Sequence, residues 1–274
     1  MSTSTQTVTR ALSDGWVVAQ RNVIKIKRVP DLLVFTTLSP IMFILLFAYV
    51  FGGAIDEENG GDLYREFLIP GIFVQTVIFG ATITGYGLAE DVKKGIIDRF
   101  RSLPMSPSAV LAGRTISDVV NNVLTLVVMS LTGLLVGWRI RDGALEALWA
   151  YVLLLLFAYA ISWIMAWIGM LVPSPEVVNN ASFMVIFPLT FIANTFVPLE
   201  TLPDPLQTFA AWNPVSAVTL AARELFGNTN PIDGPEPTQW PLQHPELYTL
   251  IWTVLILAVF IPLANRQYRK ATSR

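Results

Sequence analysis

Six stretches of 19 to 29 consecutive residues in this chain contain no Asp, Glu, Lys or Arg. A helix needs about 20 apolar residues to cross the hydrocarbon core of a membrane. The six runs are rich in Leu, Ile, Val, Phe, Ala and Met, and they predict membrane spans at about 32–54, 67–89, 119–138, 148–171, 178–199 and 247–265. The chain is therefore predicted to be an all-α integral membrane protein with six transmembrane helices in one domain, residues 32–265.

The composition excludes most kinds of catalytic and metal site. Only 14% of the 274 residues are charged, against about 25% in a soluble domain. The chain has no cysteine and one histidine, His244, so it cannot form disulfides, histidine triads or multi-histidine metal centres. It also lacks a G-x-x-x-x-G-K-[ST] phosphate loop and an H-E-x-x-H motif. No catalytic residue, metal ligand or bound cofactor is predicted, and a net charge of −2 gives no reason to expect nucleic acid.

A seventh uncharged run lies between Asp204 and Arg223, and it contains the helix-breaking pair Asn213-Pro214. We interpret it as short interfacial or re-entrant helices between spans five and six. With six spans and a cytoplasmic N-terminus, 14 Lys and Arg lie inside and 4 outside, whereas a seventh span would change the split to 11 and 7. The positive-inside rule favours six spans with both termini in the cytoplasm.

Residues 1–31 form a cytoplasmic segment with the pattern of an amphipathic helix. Apolar residues recur at steps of three and four, at Leu12, Trp16, Ala19, Val23 and Ile26. Such a helix lies along the inner leaflet or packs as a cytoplasmic helix, and the pattern fits both. Residues 266–274 form a short basic cytoplasmic tail.

The inner loop between spans two and three is the most distinctive segment, EDVKKGIIDRFRSLPMSPSAVLAGRTISD at residues 90–118. Gly95 and Pro104 predict a short helix between them, since glycine permits a sharp turn and proline ends a helix. Its apolar and charged residues favour a small projection that docks into a partner. The alternative is a solvated basic loop that only sets the topology.

This segment resembles the signature of type-2 ATP-binding-cassette (ABC) exporter permeases, in particular the daunorubicin/doxorubicin resistance permease group. The resemblance rests on residues 95–105, on Ala112-Gly113-Arg114, and on PDPLQTFAAWNPVSAVTLAARELF at residues 203–226. It implies a permease subunit in the bacterial plasma (inner) membrane that exports a lipophilic or amphipathic compound, such as a drug, an antibiotic or a lipid-like molecule. The alternative is an ATPase-binding scaffold or immunity protein of the same fold, without transport.

The resemblance also implies partners and site residues. The partners are separate ABC ATPase subunits, which carry the ATP and Mg²⁺, and a second permease subunit, identical or related. The ATPase-coupling residues would be Asp91, Gly95, Ile97, Asp98, Arg99, Phe100, Arg101, Leu103 and Pro104.

Spans two and five would line the substrate path by the same resemblance. Helical spacing of four and three places a triplet of each span on one face. The residues are Gln75, Phe79 and Thr82 in span two and Phe187, Phe191 and Asn194 in span five. Ordinary helix packing is the alternative explanation for these faces.

Overall fold

A computed structural model describes residues 30–52, 61–97, 107–172, 174–228 and 238–271 of the chain, and these residues are helical with short connections. The long helices are α1 Pro30–Leu46, α2 Asp62–Gly80, α3 Thr82–Lys93, α4 Pro107–Leu135, α5 Ala144–Leu171, α6 Pro175–Phe191 and α10 Pro245–Ala271. The short helices are α7 Asp204–Trp212, α8 Pro214–Phe226 and α9 Trp240–Gln243. The predicted N-terminal helix lies outside the described residues, apart from its last two positions.

Four of the described helical segments are long and apolar enough to cross a membrane. They are Asp62–Lys93, Val110–Leu135, Ala144–Leu171 and Pro245–Lys270. The first segment comprises α2 and α3, and we call the two together the α2–α3 rod. A tightened turn at Ala81 joins them: the Ala81 amide lies within 3.3 Å of the carbonyl oxygens of both Val77 and Ile78. The prediction of an all-α membrane protein is confirmed at this level.

Helix α5 is the centre of the bundle. Its sequence is apolar on all sides, as expected for a helix surrounded by other helices. It packs against α10, α3, α8 and α4. Small residues permit a close approach of α5 and α3: a Cβ atom on Gly169 of α5 would lie 2.3 Å from the carbonyl oxygen of Gly85 in α3.

Helix α4 begins well before the predicted span at 119–138. The prediction used charged residues as boundaries, but Arg114 and Asp118 lie inside the helix. Asp118 is buried, and Arg114 reaches across to α3, where its Nη2 donates to the carbonyl oxygen of Ile83 at 3.2 Å. The protein thus accommodates both charges within the bundle, so these residues do not mark where the helix begins.

Helix α6 ends at Phe191, short of the predicted boundary at residue 199. Pro188 already removes one helical hydrogen bond. Beyond it the Asn213 side chain donates to the carbonyl oxygens of Leu189 at 2.7 Å and Ile192 at 3.0 Å. In a continuing helix, backbone amides would donate to these carbonyl oxygens. Here Asn213, from a later segment, donates to them instead.

The connection from α6 to α10 contains the three short helices. Asn213 begins α8, where its Oδ1 accepts from the Val215 amide at 2.9 Å. Helix α7 exposes Leu206, Phe209 and Trp212, which recur every three residues and share a face. The Asn-Pro break predicted within the seventh run therefore separates α7 from α8.

Candidate functional site

A cavity of about 260 Å³ lies between α1, the α2–α3 rod, α4 and α6. Its walls combine apolar and aromatic side chains with uncharged hydrogen-bonding groups. The lining residues are Ser39, Pro40, Phe43, Ile72, Gln75, Thr76, Phe79, Gly80, Ile83, Asn121, Asn122, Thr125, Phe183 and Phe187. Ligand cavities commonly have such a mixed lining, in which a few polar groups orient a mainly apolar molecule.

Phenylalanine rings form one wall of this cavity. The ring centroids of Phe79 and Phe183 are 5.1 Å apart, which joins α2 to α6. Phe187 stacks on Phe191 at 4.0 Å, and Phe191 in turn lies 4.7 Å from Phe196. The wall is therefore continuous with a column of rings that extends past the end of α6.

The polar part of the lining comes from α2 and α4. Gln75 of α2 is largely buried at the cavity. Asn121, Asn122 and Thr125 follow one face of α4, and the Thr125 hydroxyl donates to the Asn121 carbonyl oxygen at 3.0 Å. Among the described residues no group of three or more acidic or histidine side chains could hold a metal ion.

The structure brings together three of the six residues predicted for the substrate path. Gln75, Phe79 and Phe187 line the cavity. Phe191 stands behind Phe187 in the column of rings. Thr82 is not part of the lining, and its hydroxyl donates to the Phe79 carbonyl oxygen at 2.7 Å.

Asn194 does not share a helix face with Phe187, because α6 has already ended before it. It lines a second cavity of about 240 Å³, beneath the short helices. The cavity also includes Asn121, Asn122 and Thr125 of α4, which are not among the residues predicted from the sequence. Three polar residues within one predicted span were the available signal, since such groups are costly in a membrane unless they have a role.

Arg223 of α8 fastens the short helices to the bundle. Its side chain is buried and lies 3.5 Å above the ring of Phe67 in α2. Its Nε donates to the Phe67 carbonyl oxygen at 2.7 Å, and its Nη2 donates to the carbonyl oxygens of Asn194 and Thr195. We call these contacts the outer clasp. They join α2, the segment after α6 and α8 through one guanidinium.

Glycine lets the outer clasp close. A Cβ atom on Gly71 of α2 would lie 2.1 Å from the carbonyl oxygen of Thr195. No larger residue fits at this position without moving one backbone away from the other. The segment after α6 therefore rests directly on the backbone of α2, at the point where Arg223 holds it.

At the opposite end of the bundle, the chain enters the predicted coupling loop. Helix α3 contains Asp91 and ends at Lys93. Gly95 has a φ of 66°, a conformation that glycine adopts readily. Asp98, Arg99, Phe100, Arg101, Leu103 and Pro104 lie outside the described residues.

Ile97 is 3% exposed and packs in a cluster with Leu88 and Leu111. The sequence predicts Ile97 on a face presented to a partner, but the structure places it inside this chain. It anchors the start of the loop to α3 and α4.

The same end of the bundle carries two exposed ion pairs. Lys93 Nζ lies 3.7 Å from Glu176 at the start of α6, and Lys94 Nζ lies 2.7 Å from Glu90. The pairs are solvated and contribute little to stability, but the first of them links α3 to α6.

Comparison with known proteins gives matches over most of the chain. Residues 14–226 match the ABC-2 type transporter family. The Daunorubicin resistance ABC transporter permease protein DrrB1 of Streptomyces coeruleorubidus is 36% identical over 249 residues, covering 91% of this chain and 83% of the relative. The Probable doxorubicin resistance ABC transporter permease protein DrrC of Mycobacterium tuberculosis (strain ATCC 25618 / H37Rv) is 26% identical over 238 residues, covering 85% and 80%.

A more distant match is the Putative transport permease ycf38 of Cyanophora paradoxa, 24% identical over 221 residues, covering 80% of this chain and 76% of the relative. The family match includes α1 to α6, the cavity lined by α1, the α2–α3 rod, α4 and α6, the two short helices α7 and α8, and Arg223. The resemblance noted at residues 90–118 and 203–226 is thus confirmed, and the chain belongs to the ABC-2 type transporter family.

Proposed function

We propose that this chain is the permease subunit of an ABC exporter that moves a lipophilic or amphipathic drug, antibiotic or lipid-like compound out of a bacterial cell. The observation that carries the proposal is a mixed aromatic and amide-lined cavity within the helical bundle of an ABC-2 family member. The names of two relatives refer to resistance to daunorubicin and doxorubicin, which agrees with a lipophilic substrate. A scaffold without transport has no need for such a cavity.

The proposed topology has six spans in the plasma (inner) membrane, with both termini in the cytoplasm. In addition to the four long segments, α1 with its following turn and the 17-residue α6 are counted as spans. The 14-to-4 distribution of Lys and Arg supports this count. Helices α7, α8 and α9 then lie at the outer face, together with the outer clasp.

Single cysteines test this topology, since the chain has no natural cysteine. In intact cells an impermeant thiol reagent should label Asn59→Cys and Asn228→Cys, but should leave Ser106→Cys and Ser273→Cys unlabelled. The last two should be labelled once the membrane is opened. Because Asn228 is largely buried and its side chain bonds to Trp138, Asn59 is the better outer reporter. External labelling of Ser106→Cys would overturn the topology.

The proposed assembly contains two permease subunits, identical or related, and two separate ATPase subunits that bind ATP and Mg²⁺. The segment after α3 would receive the ATPase. Motion of the loop would reach the cavity through the α2–α3 rod, because this rod contains both Asp91 at its inner end and Gln75 at the cavity.

Reconstitution tests the proposed function. The purified chain alone should not hydrolyse ATP, whereas vesicles that contain it with its ATPase should accumulate a lipophilic drug when ATP is supplied on the cytoplasmic face. ATP hydrolysis by the complex without any net movement of compounds would favour the scaffold. Hydrolysis by the purified chain alone would contradict the assignment of the ATP site to a partner.

Truncation of the aromatic wall should alter substrate preference. We expect Phe79→Ala together with Phe187→Ala to change the ratio of transport rates for a large and a small drug by about tenfold, since cavity shape sets such discrimination. Phe191→Ala should have a smaller effect, because its ring lies behind Phe187. The ratio is measured by transport into vesicles. Phe260→Ala is the matched control, because the Phe260 ring packs against Trp167 outside the cavity. An unchanged ratio in the double variant would assign this wall to packing alone.

A further inference from the structure

A cluster of buried side chains lies at the inner end of the bundle, apart from the main core around Phe73 and Trp138. We call it the inner cluster. It combines residues of α3, α4, α5 and α10 with the residue at the start of the predicted coupling loop. Its larger members are Leu88, Ile97, Leu111, Trp163, Met170 and Tyr268.

Tyr268 comes from the last turns of α10, which continues six residues beyond the predicted end of the span at 265. It is 3% exposed, although the two residues that follow it are exposed. The preceding residue adds a second link at this level, because the Gln267 side chain donates to the carbonyl oxygen of Met170 in α5 at 3.4 Å. The cytoplasmic end of α10 therefore packs on the bundle.

The inner cluster receives both ends of the predicted coupling loop. Ile97, before the loop, and Val110 and Leu111, in the first turns of α4 after it, are all buried members of the cluster. Twelve residues, 98–109, separate Ile97 from Val110. The chain therefore leaves the inner cluster before the predicted ATPase-docking residues and returns to the same cluster after them.

Two helices lead from the inner cluster to the cavity. Leu88 belongs to the α2–α3 rod, which contributes Gln75 to the cavity lining. Leu111 belongs to α4, which contributes Asn122. A close-packed interior transmits a displacement, because its side chains cannot move without displacing their neighbours. A push on the loop therefore reaches both cavity walls as long as the inner cluster stays filled.

The position of Tyr268 in α10 makes its effect local. Other α10 residues at the inner cluster, such as Ile261 and Ala264, lie at least one helical turn earlier. Helix α10 also packs against α5 and α8, so it should stay in place without this side chain. An aromatic residue buries about 150–250 Å², so loss of the ring would open a gap beside the loop ends.

We propose that Tyr268 is a positioning residue for energy coupling: its ring holds both ends of the coupling loop against the bundle, so that a push from the ATPase moves α3 and α4 instead of the loop alone. This inference rests on the proposed export function and adds the end of α10 to the path from the ATPase to the cavity. The competing role for Tyr268 is general stability, which would affect the whole fold.

Hydrogen–deuterium exchange in the purified full chain in lipid nanodiscs tests the holding of the loop without the ATPase. In Tyr268→Ala we expect backbone amides near Ile97 and Leu111 to exchange about tenfold faster, while amides of α8 and the outer half of α5 change by less than about twofold. Tyr268→Phe retains the ring and should retain most of the protection. Tyr248→Ala is the matched control, since Tyr248 is a buried tyrosine at the outer end of the same helix, and it should leave both loop ends unchanged.

Vesicles that contain the chain with its ATPase test the effect on coupling. The quantity measured is the amount of daunorubicin, the drug in the name of one relative, that is transported per ATP hydrolysed. Tyr268→Ala should still co-purify with the ATPase and hydrolyse ATP, but should transport about fivefold less per ATP, whereas Tyr268→Phe and Tyr248→Ala should resemble wild type. Tyr268→Leu replaces the alanine variant if that one fails to insert, with an expected effect of about threefold in both measurements.

Unchanged exchange at either loop end in Tyr268→Ala would overturn the inference, as would faster exchange across the whole chain, loss of ATPase association, or normal transport per ATP. If the wild-type complex hydrolysed ATP without moving any compound, the proposed export function alone would be contradicted. The exchange measurement on the chain would still decide whether Tyr268 holds the loop.

Discussion

Replacement of Arg223 by methionine should prevent the short helices from packing and lower the apparent melting temperature of the purified protein by about 10 °C. Methionine retains much of the apolar stem but donates no hydrogen bond. The carbonyl oxygens of Phe67, Asn194 and Thr195 lose a charged donor in a buried place. Each such hydrogen bond contributes about 1.5–3 kcal/mol, so the summed effect is large for one side chain.

Arg139→Met is the matched control for this experiment. Arg139 is also assigned to the outer side, but it is exposed, and its hydrogen bonds go to nearby carbonyl groups of Leu134 and Trp138. Arg223→Lys should fall between the two, because an ammonium cannot reach three carbonyl oxygens with the planar geometry of a guanidinium. Thermal unfolding in detergent provides the measurement. If Arg223→Met melted within about 2 °C of wild type, the clasp would not hold the outer segment in place.

The double substitution Arg99→Ala with Phe100→Ala should reduce export to less than about a tenth of wild type while membrane insertion and yield stay normal. The reason is that an aromatic anchor with an adjacent cation typically supplies much of the energy of a small docking surface. Loss of both should weaken association with the ATPase by about tenfold or more. Co-purification of the ATPase and vesicle export measure the two effects separately.

Lys93→Ala serves as the comparison for the coupling segment. Its ammonium forms an exposed ion pair with Glu176 at 3.7 Å, and solvent screens this pair. Export should therefore remain at no less than about half of the wild-type level. Equal losses for Lys93→Ala and for the double variant would indicate a general charge effect of the loop. Normal export by the double variant would mean that the ATPase acts on the permease elsewhere.

Much of the fold could be predicted from the sequence because membrane helices depend on local composition. Helix α5 ends at the predicted residue 171 and begins four residues before the predicted start, whereas α10 continues six residues beyond the predicted end at 265. The prediction failed at Arg114 and Asp118, where a charge was taken as a boundary. The α2–α3 rod, with Gly87, accommodates these residues inside the bundle. Their burial therefore depends on a helix that lies 27 or more residues away along the chain.

The end of α6 was unpredictable for a similar reason. Asn213 and Arg223 satisfy carbonyl groups of the preceding segment from 21 to 29 residues further along the chain. No local pattern signals that contact. The helical spacing that grouped Asn194 with Phe187 therefore extended past the true end of the helix.

The cavity was partly predictable. Gln75 and Phe79 line the cavity together from one face of α2, since a regular helix preserves a spacing of four. Thr82 does not line it, because the tightened turn at Ala81 separates this residue from that face. The polar residues of α4 were missed because the family resemblance directed attention to spans two and five alone.

The outer clasp also has a consequence for how the protein is made. Arg223 binds the carbonyl oxygen of Phe67, which leaves the ribosome 156 residues earlier. At about 5–20 residues per second, roughly 10–30 s pass between the synthesis of these two residues. During that interval the nascent chain contains α2 without the residue that joins it to the segment after α6. A chain that terminates before Arg223 can never form this link, so α2 and the segment after α6 stay unjoined in it.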